Sequence, residues 1–456
     1  MLSESFTDES DFSKGFTEEN DIFERRVLYK QIRNVILNSA DKNLVLALDD
    51  KWGSGKTSFV KMMQGQITES DHKDINIIYF DAFHNDYQSE PLIAMLSSIY
   101  ELLDLKIKNE PLKDQFLKVS KAVAISVIKQ TPKILIGALT KNILNDSASE
   151  EIKDSIIEAT TEPLENFIEE KIKNSQKHEN EIENFKKILK RIYDKTNKKT
   201  LFVVDELDRA KPHYSLDLIE KIKHLFNVEG FYFLLVLNRE QFKQTIKSRY
   251  GDIDASLYLN KFIHIWFTLP KDKLTSPSID KKLSELQIKN SIIGKYLSSI
   301  DQQDLFLQND HLFYVLTYIL YFNGSSLREA QRCYSLISII DGINKIISFS
   351  LEATSLIALI AFLKVHNETL LTRIMDKNIN LDEVLNELNI YQIKDGHIAC
   401  LSKLFEVLSY QLLSDDVLSE MKKSGKICHA DPSLYEEGWI FNYAVNSFLN
   451  MKFEQY

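Results

Sequence analysis

Residues Asp50-Lys-Trp-Gly-Ser-Gly-Lys-Thr57 follow a short apolar run, Asn43-Leu-Val-Leu-Ala-Leu-Asp49, and precede a helical stretch that begins Ser58-Phe-Val-Lys-Met-Met63. Strand, glycine loop and helix in that order make a phosphate-binding loop, because successive backbone N–H groups and a helix N-terminus form a concave nest for anionic oxygens. In this reading Trp52, Gly53, Ser54, Gly55, Lys56, Thr57 and Ser58 surround the phosphates. Gly53 and Gly55 let the backbone approach closely, Lys56 neutralises β- and γ-phosphate charge, and the Thr57 hydroxyl completes the coordination of a Mg2+ ion. The first glycine of the usual G-x-x-x-x-G-K-[ST] pattern is here Asp50, whose charge is expected to point outward, away from phosphate.

A second run, Lys199-Thr-Leu-Phe-Val-Val204, is apolar and β-branched and ends in Asp205-Glu206-Leu207-Asp208-Arg209. A buried strand that delivers carboxylates at its tip supplies what nucleotide-bound Mg2+ needs from the opposite wall. Asp205 is expected to hold the metal through water, and Glu206 to polarise a water attacking the γ-phosphate. Asp208 and Arg209 read either as a surface ion pair or, for Arg209, as a subunit-contact or charge-stabilising residue. Phe231-Tyr-Phe-Leu-Leu-Val-Leu237 ends in Asn238, whose amide is placed to orient the lytic water. Ile75-Asn-Ile-Ile-Tyr-Phe80 ends in Asp81, and the nearby His84 reads as a polar loop residue rather than a catalyst.

These side chains need a scaffold of buried strands with helices between them. The four runs, with Phe262-Ile-His-Ile-Trp-Phe267 before Pro270 as a fifth, predict a parallel sheet whose phosphate loop lies at its C-terminal edge. A helical pattern over about Ile22 to Asn38 precedes the first strand.

The residues that carry this chemistry resemble the KAP family of P-loop NTPases. The matches are Trp52-Gly-Ser-Gly-Lys-Thr57, Tyr79-Phe-Asp-Ala-Phe83 with Glu90-Pro91, Val203-Val-Asp-Glu-Leu-Asp-Arg209, and Tyr258-Leu-Asn-Lys-Phe262 leading to Leu269-Pro270. They cover roughly residues 20 to 335. The resemblance implies an ATP-hydrolysing α/β core of the additional-strand, catalytic-glutamate type, with ATP and Mg2+ as ligands. It also implies an insert between the loop and the carboxylate strand that often carries membrane helices, and in bacteria a role in excluding phage together with protein partners from the same operon. Family members usually carry Asp where Asn238 and Glu206 stand. A family helix bearing arginine is matched by Asn323-Gly-Ser-Ser-Leu-Arg-Glu-Ala-Gln-Arg332; Arg328 and Arg332 share one helical face, where they either report the γ-phosphate to a helical lid or pair with neighbouring carboxylates.

The division expected from these features is an acidic tail (1–20), a core in two parts (21–110 and 185–270), a helical insert (111–184) and an all-α lid and C-terminal domain (271–456). The chain has 456 residues, 44% hydrophobic and 27% charged, with only 13 Gly and 8 Pro, a helix-rich folded composition that excludes bulk disorder. Its formal net charge of −10 lacks the broad basic footprint of a nucleic-acid binder. The lysine-rich stretch 171–199 is interleaved with glutamates and reads as a solvated helix face.

Cys333, Cys400 and Cys428 lack paired spacing, against a disulfide framework and in favour of a reducing, cytoplasmic setting; Cys428-His429 reads as coincidence. The acidic N-terminus shows no secretion signal. Ala122 to Leu144 and Ile346 to Val365 are interrupted by charges and read as buried or amphipathic helices rather than membrane spans. The functional expectation is a Mg2+-dependent ATPase, acting with protein partners or as a homo-oligomer, whose cycle moves a helical domain. The alternative is a nucleotide-gated switch or membrane-associated signalling scaffold with little turnover.

Overall fold

A computed structural model describes residues 12–39, 43–69, 74–88, 90–128, 164–272, 285–301, 304–344, 350–390 and 399–424. The α/β core contains strands β1 (Val45–Asp49), β2 (Ile75–Asp81), β3 (Lys199–Asp205), β4 (Phe231–Leu237) and β5 (Ile265–Thr268). All neighbours are parallel, in the order β2-β3-β4-β1-β5. The loop strand β1 and the carboxylate strand β3 are therefore separated by β4, as the additional-strand expectation required. The fifth strand begins at Ile265 rather than Phe262.

Alternation along each strand divides the core into two layers. Leu46, Leu48, Val203, Leu234 and Val236 face one layer with helix α1 (Arg26–Asn38) and helix α2 (Lys56–Glu69). Val45, Ala47, Phe202, Phe233 and Leu235 face the other, which includes helices α3 (Pro91–Glu101), α4 (Glu110–Ile128), α5 (Leu164–Thr196) and α6 (Pro212–Leu225). The Phe202 and Phe233 rings stack across β3 and β4 with centroids 5.5 Å apart. With both faces covered, the strands read as near-continuous apolar runs, which is why they were visible in the sequence.

Of the insert, α4 packs against α5, with Phe116 and Phe185 rings 6.3 Å apart. Helix α5 runs unbroken across the expected boundary at 184/185. Its C-terminal half buries Phe185, Ile188, Leu189 and Ile192, while Lys187 and Lys190 stand on the surface, so the lysine-rich stretch is a solvated helix face over its described part. Most of Ala122 to Leu144, and Cys428-His429, lie outside the described residues.

The segment 12–20 departs from the expected acidic tail. Phe16 is buried, stacks on Tyr29 with centroids 5.2 Å apart and packs on Phe59, while its amide donates to Gln66 Oε1. Two aromatic anchors outweigh the local charge here; burial of one such side chain is worth about 1.5–3 kcal/mol.

After β5 the described chain is helical and has its own core. Helix α7 (Arg239–Tyr250) follows β4, and beyond β5 come α8 (Ile292–Ile300), α9 (Asp310–Phe322), α10 (Leu327–Asn344), α11 (Leu351–His366) and α12 (Ala399–Gln411), with shorter helices between them. Helix α11 is buried from Glu352 through Val365 at the centre of this bundle. Its two charges are paired, Glu352 with Lys403 and Lys364 with Glu368, so the apolar stretch over Ile346 to Val365 is a core helix in its described part. No helix among the described residues is long and apolar enough to cross a membrane.

Candidate nucleotide site

The glycine loop turns on two residues with positive φ, Gly53 at 75° and Gly55 at 86°. A Cβ at Gly53 would stand 2.8 Å from Arg328 Cβ, and one at Gly55 would stand 2.8 Å from Arg25 Nη1, so close approach as well as backbone conformation requires glycine. Lys56 Nζ donates to the carbonyls of Asp50 (2.7 Å) and Lys51 (3.0 Å), which leaves one of its three donors for an anion. Burial lowers the Lys56 pKa, opposed by the carboxylates of Asp208, Asp50, Asp205 and Glu206. The Ser54 hydroxyl is buried without a hydrogen-bond partner.

Asp50 behaves as expected of a residue outside the phosphate cradle. Its Oδ1 accepts from the Lys51 amide at 2.8 Å, and its side chain is not among those lining the cavity described below.

Strand β3 carries the carboxylates to the loop. The β2–β3 register places Asp81 opposite Asp205, whose side chain is 2% exposed. Asp205 accepts from Tyr79 Oη (3.1 Å), from the Glu206 amide (2.8 Å) and from the Thr57 hydroxyl. Burial nevertheless pushes its pKa up. Glu206 has φ 56°, a left-handed conformation that costs a non-glycine residue roughly 1–3 kcal/mol and turns its side chain off the strand axis. Burial pushes its carboxyl up to about 7, although Arg209 pairs with it at 2.6 Å. Trp52 Nε1 donates to Asp208 Oδ2 at 2.5 Å and its ring lies under the Arg209 guanidinium, so Trp52 ties the loop to the carboxylate strand.

A cavity of about 430 Å3 opens between these elements. Trp52, Gly53, Gly55, Lys56, Thr57, Ser58, Asp205 and Glu206 line one wall; Arg25 and Phe23 of the N-terminal segment, Tyr296 of α8 and Arg328 of α10 line the other. Arg328 thus meets the site as the sequence suggested, its pKa lowered first by burial and then by Arg209, with Glu206 opposing. Arg332, one turn further on, does not line the cavity.

Asn238 stands at the end of β4, but its Oδ1 caps α7, accepting from the amides of Glu240 (3.1 Å) and Gln241 (3.4 Å). It does not line the cavity, so the expected water-orienting position is not formed. His84, expected in a loop, lies instead in a one-turn helix, Ala82–Asn85, whose cap Asp81 accepts from the His84 amide at 2.7 Å; it does not line the cavity.

Sequence reasoning passed over Arg25, Phe23, Tyr296 and the cap of α10. That cap is Ser326-x-x-Glu329: the Glu329 Oε2 accepts from the Ser326 amide (2.7 Å) and hydroxyl (2.9 Å), and Ser326 Oγ accepts from the Glu329 amide (3.3 Å). The Leu327 amide donates to Gly53 O at 3.0 Å, which fastens this helix start to the glycine loop. The serine-to-glutamate spacing was the signal available for it.

Parallel order, glycine loop and strand-borne carboxylates define a P-loop nucleotide-binding protein. A family model described as the KAP family P-loop domain matches residues 25–344, more than half of the chain, and the chain belongs to that family. No curated protein matches it. Among solved structures it is similar to the Aeropyrum pernix ORC2 protein in ADPNP-ADP complexes, at 12% identity and a TM-score of 0.38, over 100% of this chain and 85% of that one. The ADP form of the same protein gives 13% identity and a TM-score of 0.36 over 93% of each chain. A likeness this distant carries no further argument.

The residues present fit a nucleotide with its metal. The glycines leave a cradle that a Cβ would fill, a buried Ser54 hydroxyl has no partner, and the Thr57 and Asp205 oxygens already lie together. Among the described residues no three His, Cys, Asp or Glu side chains assemble a metal centre of their own.

Proposed function

We propose that the chain is a Mg2+-dependent ATPase whose nucleotide state sets the position of its C-terminal helices. The observation that carries this reading is that Lys56, Thr57, Asp205, Glu206 and Arg328, from three separate parts of the sequence, line one cavity. Lys56 and the loop amides bind the phosphates, and Thr57 and Asp205 would hold Mg2+. A Mg2+ ion held there would supply positive charge to offset that of the phosphates. Glu206 takes the proton of the attacking water; a carboxyl held near neutrality suits a general base. Arg328, at the start of α10, offsets charge on the γ-phosphate and carries its presence to the helical bundle. Asn238 stays outside this assignment as the cap of α7.

The choice of ATP over GTP follows from the family. Assembly with protein partners or a second copy and a role in bacterial defence against phage are read from the family resemblance, and a cytoplasmic setting from the scattered cysteines. ATP turnover by the purified chain beside Lys56→Ala tests the enzyme, and phage plaque counts on cells carrying either form test the role. Turnover unchanged in Lys56→Ala would refute the site; equal plaque counts would refute the defence role.

A second reading, a nucleotide-gated switch with little turnover, draws on the Glu206–Arg209 ion pair, which occupies the base in this conformation. Single-turnover hydrolysis by Arg209→Ala at least as fast as by wild type would favour it.

A further inference from the structure

Arg25 is the one arginine among the described residues that is fully buried, at 2% exposure. It lies just before α1, lines the cavity and reaches the carbonyls of the glycine loop. Its Nη2 donates to Ser54 O at 2.9 Å and its Nη1 to Gly55 O at 3.1 Å, a fork that grips two consecutive carbonyls. The fork is itself held. The Arg25 amide donates to Asp21 Oδ1 at 2.6 Å, the Arg26 amide to Asp21 Oδ2 at 2.8 Å, and the guanidinium lies over the Phe23 ring at 4.5 Å.

Two consequences follow from peptide geometry and charge. In a planar trans peptide the C=O and the next N–H point in opposite directions, so fixing Ser54 O and Gly55 O fixes the N–H groups of Gly55 and Lys56 on the far side from the guanidinium. Those are amides that a phosphate nest uses. The loop also carries Asp50 where the pattern has glycine, a negative charge next to, though not lining, a site for a polyanion. Burial lowers the Arg25 pKa to about 10, with Asp50 the leading influence in the other direction, so the guanidinium stays charged at neutral pH. Burying an arginine is costly, and Nε here has no acceptor, so packing alone gives no reason for this choice of residue.

We propose that Arg25 is a positioning residue for nucleotide binding, which aims the loop amides by holding the Ser54 and Gly55 carbonyls and offsets the charge of Asp50. The proposal rests on ATP being the ligand of this site, and its test separates the two claims. Binding of Mg-ATP and of inorganic tripolyphosphate is measured by calorimetry on the full chain. The variants are Lys56→Ala, Arg25→Gln, Arg25→Lys, Asp50→Asn and the double variant Arg25→Gln/Asp50→Asn, with folding checked by circular dichroism.

Folded Arg25→Gln is expected to bind both ligands about tenfold or more weaker, in the same proportion, as loss of charged hydrogen bonds implies. Adding Asp50→Asn to it should recover roughly threefold, while Asp50→Asn alone changes binding less than about twofold. Wild-type affinity in Arg25→Gln would overturn the proposal. So would a loss confined to ATP, which would place the guanidinium on the base, or an additive double variant. Should Arg25→Gln not fold, Arg25→Lys keeps the charge without the fork; it is expected to bind both ligands roughly threefold weaker, and wild-type affinity there would overturn the role of the paired carbonyls. No ATP binding by the wild type would instead overturn the proposed function.

Discussion

The two walls of the cavity are built on different plans. The loop wall is contiguous: Trp52 to Ser58 follow one strand, Asp205 and Glu206 end another, and their positions come from backbone geometry at the edge of a sheet. The facing wall is assembled from side chains of Phe23, Arg25, Tyr296 and Arg328, far apart in sequence and brought together by packing. On the proposed reading the first wall supplies the phosphate cradle and carboxylates, and the second adds two arginines carried by other parts of the chain. Substitutions in the loop wall should therefore act through groups that meet the nucleotide or its attacking water, and substitutions in the facing wall through single arginines, Arg25 on binding and Arg328 on turnover.

The largest effect expected is on the loop wall. Glu206→Gln should lower the ATP turnover rate by about 100- to 10,000-fold, the range for a lost general base, while nucleotide affinity stays within a few-fold. Unchanged turnover would sink the assignment of Glu206 and move the search to Asp208 or Asp81. On the facing wall, Arg328→Ala should lower the rate roughly 100-fold, as loss of one charge-stabilising donor does, with little change in affinity. A variant that bound weakly but turned over at the wild-type rate would make Arg328 a binding residue and blur its distinction from Arg25.

The same contrast explains what could be read from the sequence. A strand, a glycine loop and a carboxylate-tipped strand are local patterns, and their meaning survives without knowledge of the rest of the fold. The five strands were legible because a sheet covered on both faces leaves unbroken apolar runs. Arg25 was not legible, because nothing local distinguishes an arginine that crosses to the loop carbonyls from its neighbour Arg26, which is exposed. Asn238 was misplaced for a local reason: the end of a strand is also the start of the next helix, and an asparagine there caps α7. The segment 12–20 was misread because net charge hid Phe12 and Phe16.

Two glutamates, Glu206 in the loop wall and Glu329 behind Arg328, have opposite pH behaviour. Burial raises Glu206 to about 7, so its basic form, and with it kcat/KM, should rise about tenfold per pH unit below 7 and level off above. A profile that is flat from pH 6 to 8 would mean that another group sets the rate. The folded carboxyl binds its proton more tightly than the unfolded one, so Glu206 also subtracts stability as pH rises from its ordinary 4.5 towards 7.

Glu329, next to Arg328 in the cap of α10 but outside the cavity lining, works the other way. Burial alone would raise its pKa, yet hydrogen bonds from His366 (3.0 Å) and from the Ser326 amide and hydroxyl hold it at about 2. Its carboxylate thereby links the end of α11 to the cap of α10, two residues from the loop contact that Leu327 makes with Gly53 O. The unfolded chain binds the proton more readily, so the stabilisation is fully present above about 4.5 and is lost as pH falls towards 2. Glu329→Gln keeps the shape and removes the charge, and at pH 7 it should cost about 1 kcal/mol, the scale of a helix cap. Thermal melts at several pH values would check this, because the gap between wild type and variant should close as the medium is acidified below 4.5. A gap that stayed constant would show that the carboxylate serves only as a hydrogen-bond acceptor, a role the amide can fill in part, and that charge does not tie the bundle to the loop.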